Sequence, residues 1–165
     1  MEEIEKPLQD YICSTYNFPA SPSSLLCVYL YDNTLYATDE SCTLYILPKC
    51  QIFDLDDSYH CIYYLTGFLY LFGPTRMCTF DTSTNKIEHT ELEIVRHIEK
   101  VRGWQDKMVL MEEEGIVRVV SKGGDVLREV SLFEEEGCDI YDIGLYNDFA
   151  YFATNKGIYR CDLAD

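Results

Sequence analysis

Carboxylates are the side chains with which this sequence is best equipped to do chemistry, and two clusters of them repeat. Glu112-Glu113-Glu114 precede Gly115, and Glu134-Glu135-Glu136 precede Gly137, so the letters EEEG occur twice. Asp39-Glu40, Asp56-Asp57 and Asp139 add further acids between apolar runs. Clustered carboxylates serve three kinds of chemistry. They act as a general acid and base when their surroundings drive the two pKa values apart. They hold a cation when their spacing makes ligands converge, and they steer a basic partner when they share a surface.

The spacing argues against the first two. A calcium loop follows D-x-[DN]-x-[DN]-G-x5-E, and Asp54-Leu55-Asp56-Asp57 lacks that order. His60, His89 and His97 show no H-x-x-x-H pattern. His60 and Cys61 are neighbours, so on a strand they point to opposite faces and form no dyad. The eight cysteines lie far apart without a C-x-x-C pair, which reads as small buried apolar groups in a reducing compartment rather than as a zinc site. G-x-G-x-x-G, G-x-x-x-x-G-K-[ST] and G-x-S-x-G are all missing. The expectation is therefore no catalytic residue, no metal, no cofactor and no enzymatic activity.

Charge favours the third. Thirteen basic residues against 29 acidic give a formal net charge of −16 in 165 residues. Such a surface repels phosphate backbones and anionic lipid, which disfavours direct nucleic-acid or membrane binding and favours basic partners. The same acidity also keeps a small protein soluble, and both readings stand at this point. Met1-Glu2-Glu3-Ile4-Glu5-Lys6 has no apolar core of a signal peptide, and no apolar run reaches membrane-spanning length. The expectation is an intracellular protein, cytoplasmic or else nuclear.

The elements that must position these acids are short strands. Composition is 47% hydrophobic and 14% aromatic, with 14 tyrosines against one tryptophan, which suits half-buried pleated surfaces. Apolar runs of a few residues are separated by Gly, Asn, Asp or Pro throughout, so the chain reads as all-β. The runs recur as a unit of four strands. Tyr36, Tyr70, Val109 and Tyr151 each anchor the second strand of a unit, at spacings of 34, 39 and 42 residues. Units of about 40 residues bury their faces by stacking on one another. They divide the chain into 25–57, 58–94, 95–137 and 138–165, preceded by an N-terminal lead and linker over 1–24.

The segment Tyr146-Asn147-Asp148-Phe149-Ala150-Tyr151-Phe152-Ala153-Thr154-Asn155-Lys156-Gly157-Ile158-Tyr159-Arg160-Cys161-Asp162 carries a tight turn, an apolar strand, a Gly-containing hairpin and a strand ending in Asp. With it the chain resembles the β-propeller superfamily of the loose WD40-like or quinoprotein-like kind, without its Gly-His and Trp-Asp dipeptides. The resemblance implies an architecture of about four four-stranded antiparallel blades and carries no activity. The fourth unit stops one strand short. In propellers an N-terminal strand often completes the last blade, so Asp10–Thr15 is expected to close it. An open half-ring completed by a partner and a β-sandwich remain the rival architectures.

In an up-down-up-down blade, the turn between the second and third strands and the connection to the next blade emerge on one face. That register places Asp39, Glu40, Asp56, Asp57, Glu112, Glu113, Glu114, Glu134, Glu135, Glu136 and Asp139 together. Asp32-Asn33, Thr66-Gly67, Asn147-Asp148, Pro48-Lys49, Asn85-Lys86 and Lys122-Gly123-Gly124 fall on the opposite face. The expected function is a non-catalytic interaction protein whose acidic face docks on a basic protein surface. Its most concrete form is a surface that ordinarily binds nucleic acid, such as the ribosome or another ribonucleoprotein, with the acids standing in for phosphates. A scaffold subunit of a multiprotein complex and a channel-site enzyme or small-ligand binder are the alternatives, and the tips of apolar strands also carry charge simply to oppose aggregation.

Overall fold

The structure is a computed structural model that describes residues 18, 22–74, 76–92, 97–131 and 139–164. Among the described residues fifteen strands follow one another with nothing longer than a 3-10 turn between them. They are β1 (Leu25–Tyr31), β2 (Thr34–Asp39), β3 (Thr43–Leu47), β4 (Gln51–Asp54), β5 (Cys61–Leu65), β6 (Phe68–Phe72), β7 (Arg76–Asp81) and β8 (Ile87–Glu91). The second half supplies β9 (Ile98–Trp104), β10 (Lys107–Glu112), β11 (Ile116–Val120), β12 (Val126–Ser131), β13 (Ile140–Tyr146), β14 (Phe149–Thr154) and β15 (Gly157–Asp162).

These strands form antiparallel meanders in chain order, β1 to β4, β5 to β8, β9 to β12 and β13 to β15. Turn chemistry explains the order. Asp32 and Asn33 take φ of 46° and 59°, the left-handed pair that a two-residue hairpin needs, and Thr66-Gly67 repeats the device at 48° and 88°. Cys42 and Cys50 are also left-handed, at φ 60° and 53°, so β3 and β4 start one residue later than the apolar pattern implies. A 3-10 turn over Glu113–Gly115 likewise delays β11 to Ile116. The closing strand expected at Asp10–Thr15, the end of the second unit near Ile94, and Glu134, Glu135 and Glu136 lie outside the described residues.

Successive blades stack face to face, which is why the central strands read as continuous apolar runs rather than alternating ones. In β6 (FLYLF) every residue after Phe68 is buried. Leu69 and Leu71 pack toward Tyr36, Leu44 and Ile46 of the first blade. Tyr70 and Phe72 pack toward Val101, Met108 and Leu110 of the third. Val109, Met111 and Val119 continue the series onto Ile143, Ala150 and Phe152 of the fourth. Each fully buried side chain of this size contributes about 1.5–3 kcal/mol. The innermost strands follow the series β1, β5, β9, β13. Among the described residues no packing of comparable extent joins β13 back to β1.

Candidate basic-partner interface

A repeated hydrogen bond assigns the acidic turns to a common rim. In the first blade Glu40 N–H donates to Ser24 O, and in the third Glu113 N–H donates to His97 O at 3.0 Å. In the fourth, Asn155 N–H donates to Asp139 O. Each bond ties the turn between second and third strands to the start of the blade's first strand, so turns and incoming connections lie side by side.

Within that rim the individual acids divide by environment. Asp39 ends β2 at 1% exposure and caps the turn that follows it. Its Oδ1 accepts the N–H groups of Ser41 and Thr43 at 3.0 and 3.1 Å, and its Oδ2 accepts the Tyr45 hydroxyl at 2.8 Å and the Ser23 N–H. Burial opposes ionisation of Asp39, but the Tyr45 hydroxyl and these backbone donors outweigh it and hold the carboxyl below the usual carboxylate range. Asp56 accepts the Tyr59 hydroxyl at 2.6 Å, pairs with Arg76 at 3.0 Å and meets His89 Nδ1 at 3.1 Å. Burial again pulls against ionisation and loses to Tyr59, His89 and Arg76, so Asp56 is also held low.

Glu112, like Asp39, is turned inward. Its side chain has no exposed surface, and Arg118 Nη1–H donates to its Oε1 at 3.0 Å. Arg118 Nε–H reaches Glu129 on the other side, also at 3.0 Å. A register shift between Met111 and Glu112, a β-bulge, re-aims this side chain at the end of β10. The first of the three consecutive glutamates is thus structural, whereas Glu113 and Glu114 are exposed. Glu114 sits at φ 63°, in the left-handed region, at the tip of the 3-10 turn.

The structure gathers a subset of these acids around one groove. Glu99, Glu112, Glu114, Gly115, Asp139 and Ile140 line a cleft of about 90 Å³ between the third and fourth blades. Asp139 is exposed there and held by its own N–H on Asn155 Oδ1 at 3.0 Å. Glu99 is the member that loop-by-loop reading misses. It is the second residue of β9, and its signal is the place of that strand's start beside the incoming connection. Exposed Glu40 and half-buried Asp57 belong to the first blade and its connection, and neither they nor exposed Glu113 are among the groove residues.

Four carboxylates around a cleft of that size can take one extended cationic side chain, with charge-assisted hydrogen bonds at its head. Among the described residues no group of three or more His, Cys, Asp and Glu is placed to hold a metal ion. His60 and His97 stack with ring centroids 4.1 Å apart on the same rim, and His60 Nε2 lies 2.6 Å from Ile98 O. Burial holds the His60 pKa below its ordinary value despite that hydrogen bond. Further toward the opposite rim, Lys100 and Arg102 of β9 meet Asp142 of β13 at 2.7 and 3.3 Å. Lys100 is the main reason Asp142 stays low.

The opposite rim is aromatic. Tyr31 and Tyr64 stack at 3.7 Å at the ends of β1 and β5. Trp104 Nε1–H donates to Asp148 at 3.2 Å, joining the first hairpins of the third and fourth blades. Tyr31 and Tyr146 are exposed there.

No protein-family model and no curated protein matches the chain in sequence. Solved structures match its shape. The computationally designed Ika4 protein aligns at a TM-score of 0.70 and 9% identity over 90% of this chain and 96% of its own. BamB from Moraxella catarrhalis aligns at 0.66 and 12% identity over 86% of this chain and 48% of its own. The Pan2 WD40 domain from Neurospora crassa aligns at 0.68 and 10% identity over 85% of this chain and 49% of its own. The chain thus spans about half the length of the latter two. At these identities the likeness is one of fold: the chain has a loose WD40-like β-propeller architecture, as its repeats imply.

Proposed function

We propose that this protein is a non-catalytic interaction module that docks the rim between its third and fourth blades on a basic protein surface. The observation that carries the reading is the cleft lined by Glu99, Glu112, Glu114 and Asp139 in a chain of net charge −16. A lysine or arginine of the partner enters the cleft, while the long-range field of the acidic chain speeds the encounter. A ribonucleoprotein such as the ribosome offers surfaces of this kind, where the acids would occupy sites that phosphates otherwise fill. Direct binding to nucleic acid is disfavoured by the same charge.

The inward-facing acids support a narrower contact set than the full acidic roster. Asp39, Asp56 and Glu112 are already engaged by Tyr45, Tyr59, Arg76 and Arg118, so Glu99, Glu114 and Asp139 of the cleft, with exposed Glu113 next in the chain to Glu114, carry the docking. The test is capture of partners from native lysate at low and physiological salt by the wild type and by Glu113→Ser/Glu114→Ser. Basic nucleic-acid-binding proteins retained only at low salt, and lost with the variant, support the reading. The same partners retained by the variant, or insensitive to salt, refute it.

One observation favours a second reading, a scaffold subunit that uses the opposite rim. Tyr31 and Tyr146 are 42% and 69% exposed there, and aromatic side chains anchor interfaces. A single stoichiometric partner held equally at both salts and lost with Tyr146→Ser supports it.

A further inference from the structure

The stack of blades ends differently at its two sides. On the first blade, Ala37, Tyr45 and Leu47 point away from the second blade yet are 0%, 3% and 1% exposed, and Phe18 sets its ring edge-on against Tyr45 at 5.1 Å. What this side leaves open is the innermost strand, where Val28 and Leu30 are 55% and 63% exposed. On the outer side of the fourth blade Arg160 lies over the Phe149 ring at 4.7 Å, while other positions of that face are open. Tyr146 of β13 is 69% exposed and Ile158 of β15 is 79% exposed, and a Cβ built on Gly144 would meet no atom within 4 Å. Register places Gly144, Tyr146 and Ile158 on one face, opposite the Ile143 and Phe152 that pack on the third blade.

A stacking blade whose innermost strand is open on one face calls for another blade, because that is how the innermost strands of the other three are covered. The chain covers 96% of the designed Ika4 protein, and three other matches are about twice its length. The chain overlays 48% of the computationally designed Ika8 protein, 48% of BamB and 49% of the Pan2 WD40 domain, while using 85–89% of its own length. Four blades that overlay half of chains about twice as long follow a half-turn rather than a full one. This agrees with the absence of packing of comparable extent between β13 and β1 among the described residues.

We infer that two copies of this chain close one ring about a two-fold axis, the fourth blade of each copy seating on the first blade of the other. Two half-turns close without leaving a free end, so assembly stops at two. At each junction Tyr146 of β13 in one copy faces Val28 and Leu30 of β1 in its partner, extending the series of innermost strands past β13. The junctions are separate from the acidic cleft, which lies between the third and fourth blades of a single copy. Each copy carries a charge of −16, so association tightens as salt rises, opposite in sign to docking on a basic partner.

The experiment is sedimentation velocity on the full chain, the wild type beside Tyr146→Glu and Leu30→Glu, with circular dichroism confirming that each variant keeps its fold. Both positions are exposed in the single chain, so the fold tolerates the charge. The expected wild-type mass is twice 19.2 kDa, falling to 19.2 kDa in either variant alone. A mixture of the two variants recovers part of the dimer, since one junction of the mixed ring stays native. A wild type that remains single at high protein and high salt overturns the inference. So does a dimer that Tyr146→Glu abolishes and Leu30→Glu leaves intact, because that pattern belongs to two fourth blades packed face to face.

Discussion

Arg118 is the residue on which the acidic cleft depends most, and replacing it with methionine makes a quantitative test. Its guanidinium is 12% exposed, donating at 3.0 Å to the fully buried Glu112 and at 3.0 Å to Glu129. At 3.0 Å and an effective dielectric of about 20, the attraction to Glu112 is about 5 kcal/mol. Methionine keeps most of the apolar stem and removes the cation, so the change isolates the charge. Taking one partner from a buried pair costs about 3–5 kcal/mol, because the remaining carboxylate stays desolvated opposite a neutral group. With a urea slope of about 2 kcal/mol per molar, the midpoint falls by about 2 M. Glu112→Gln in the same chain removes the stranded charge, and the double variant recovers most of the loss. Urea denaturation followed by circular dichroism and tyrosine fluorescence measures both. A cost below about 1 kcal/mol for Arg118→Met, or a double variant no more stable than the single one, refutes this account of the pair.

Other predictions concern packing, titration and reactivity. Gly103→Ala puts a Cβ 1.7 Å from the Tyr63 hydroxyl oxygen and 2.5 Å from its ring, an overpacking expected to lower stability by about 1–3 kcal/mol in a thermal melt. Because burial holds the His60 pKa below that of an unfolded histidine, the unfolded chain takes up the proton first as pH falls. Stability is thus fully present above about pH 6.5 and declines below it, with a slope of at most about 1.4 kcal/mol per pH unit that His60→Gln removes. Burial pushes the Cys61 and Cys78 thiols up to about 12, so iodoacetamide at pH 8 should modify exposed Cys50 well before either, as read by peptide mass spectrometry. Phe80→Ala, in the packing between first and second blades, should cost about 3–5 kcal/mol.

Much of the architecture is legible in the residues because local signals and stacking agree. Asp32-Asn33, Thr66-Gly67 and Asn147-Asp148 mark three first hairpins in the sequence, and each joins the first two strands of its blade. Strand ends are less legible where a non-glycine residue adopts the left-handed region, as Cys42 and Cys50 do, since no cysteine propensity announces it. The acidic rim is legible as topology and much less so as chemistry. Asp39, Asp56 and Glu112 look like neighbouring Glu40, Asp57 and Glu113 in the sequence, yet they cap a turn, tie a connection to β7 and β8, and pair from a buried position with Arg118. Burial and partners separated by tens of residues decide those roles, as with Arg76 reaching Asp56 across 20 residues. Glu99 escaped for the converse reason, being a strand residue that reaches the rim because its strand begins there.

The most direct test of the proposed function is the affinity of a lysine- and arginine-rich peptide for the purified chain, measured by fluorescence anisotropy at about 0.05 and 0.15 M salt. Wild-type protein should bind at low salt and weaken severalfold at the higher salt. Glu113→Ser/Glu114→Ser, which leaves Glu112 with Arg118, should lose most of that binding while retaining its thermal midpoint. Equal affinity for the peptide in wild type and variant, at either salt, would contradict the account.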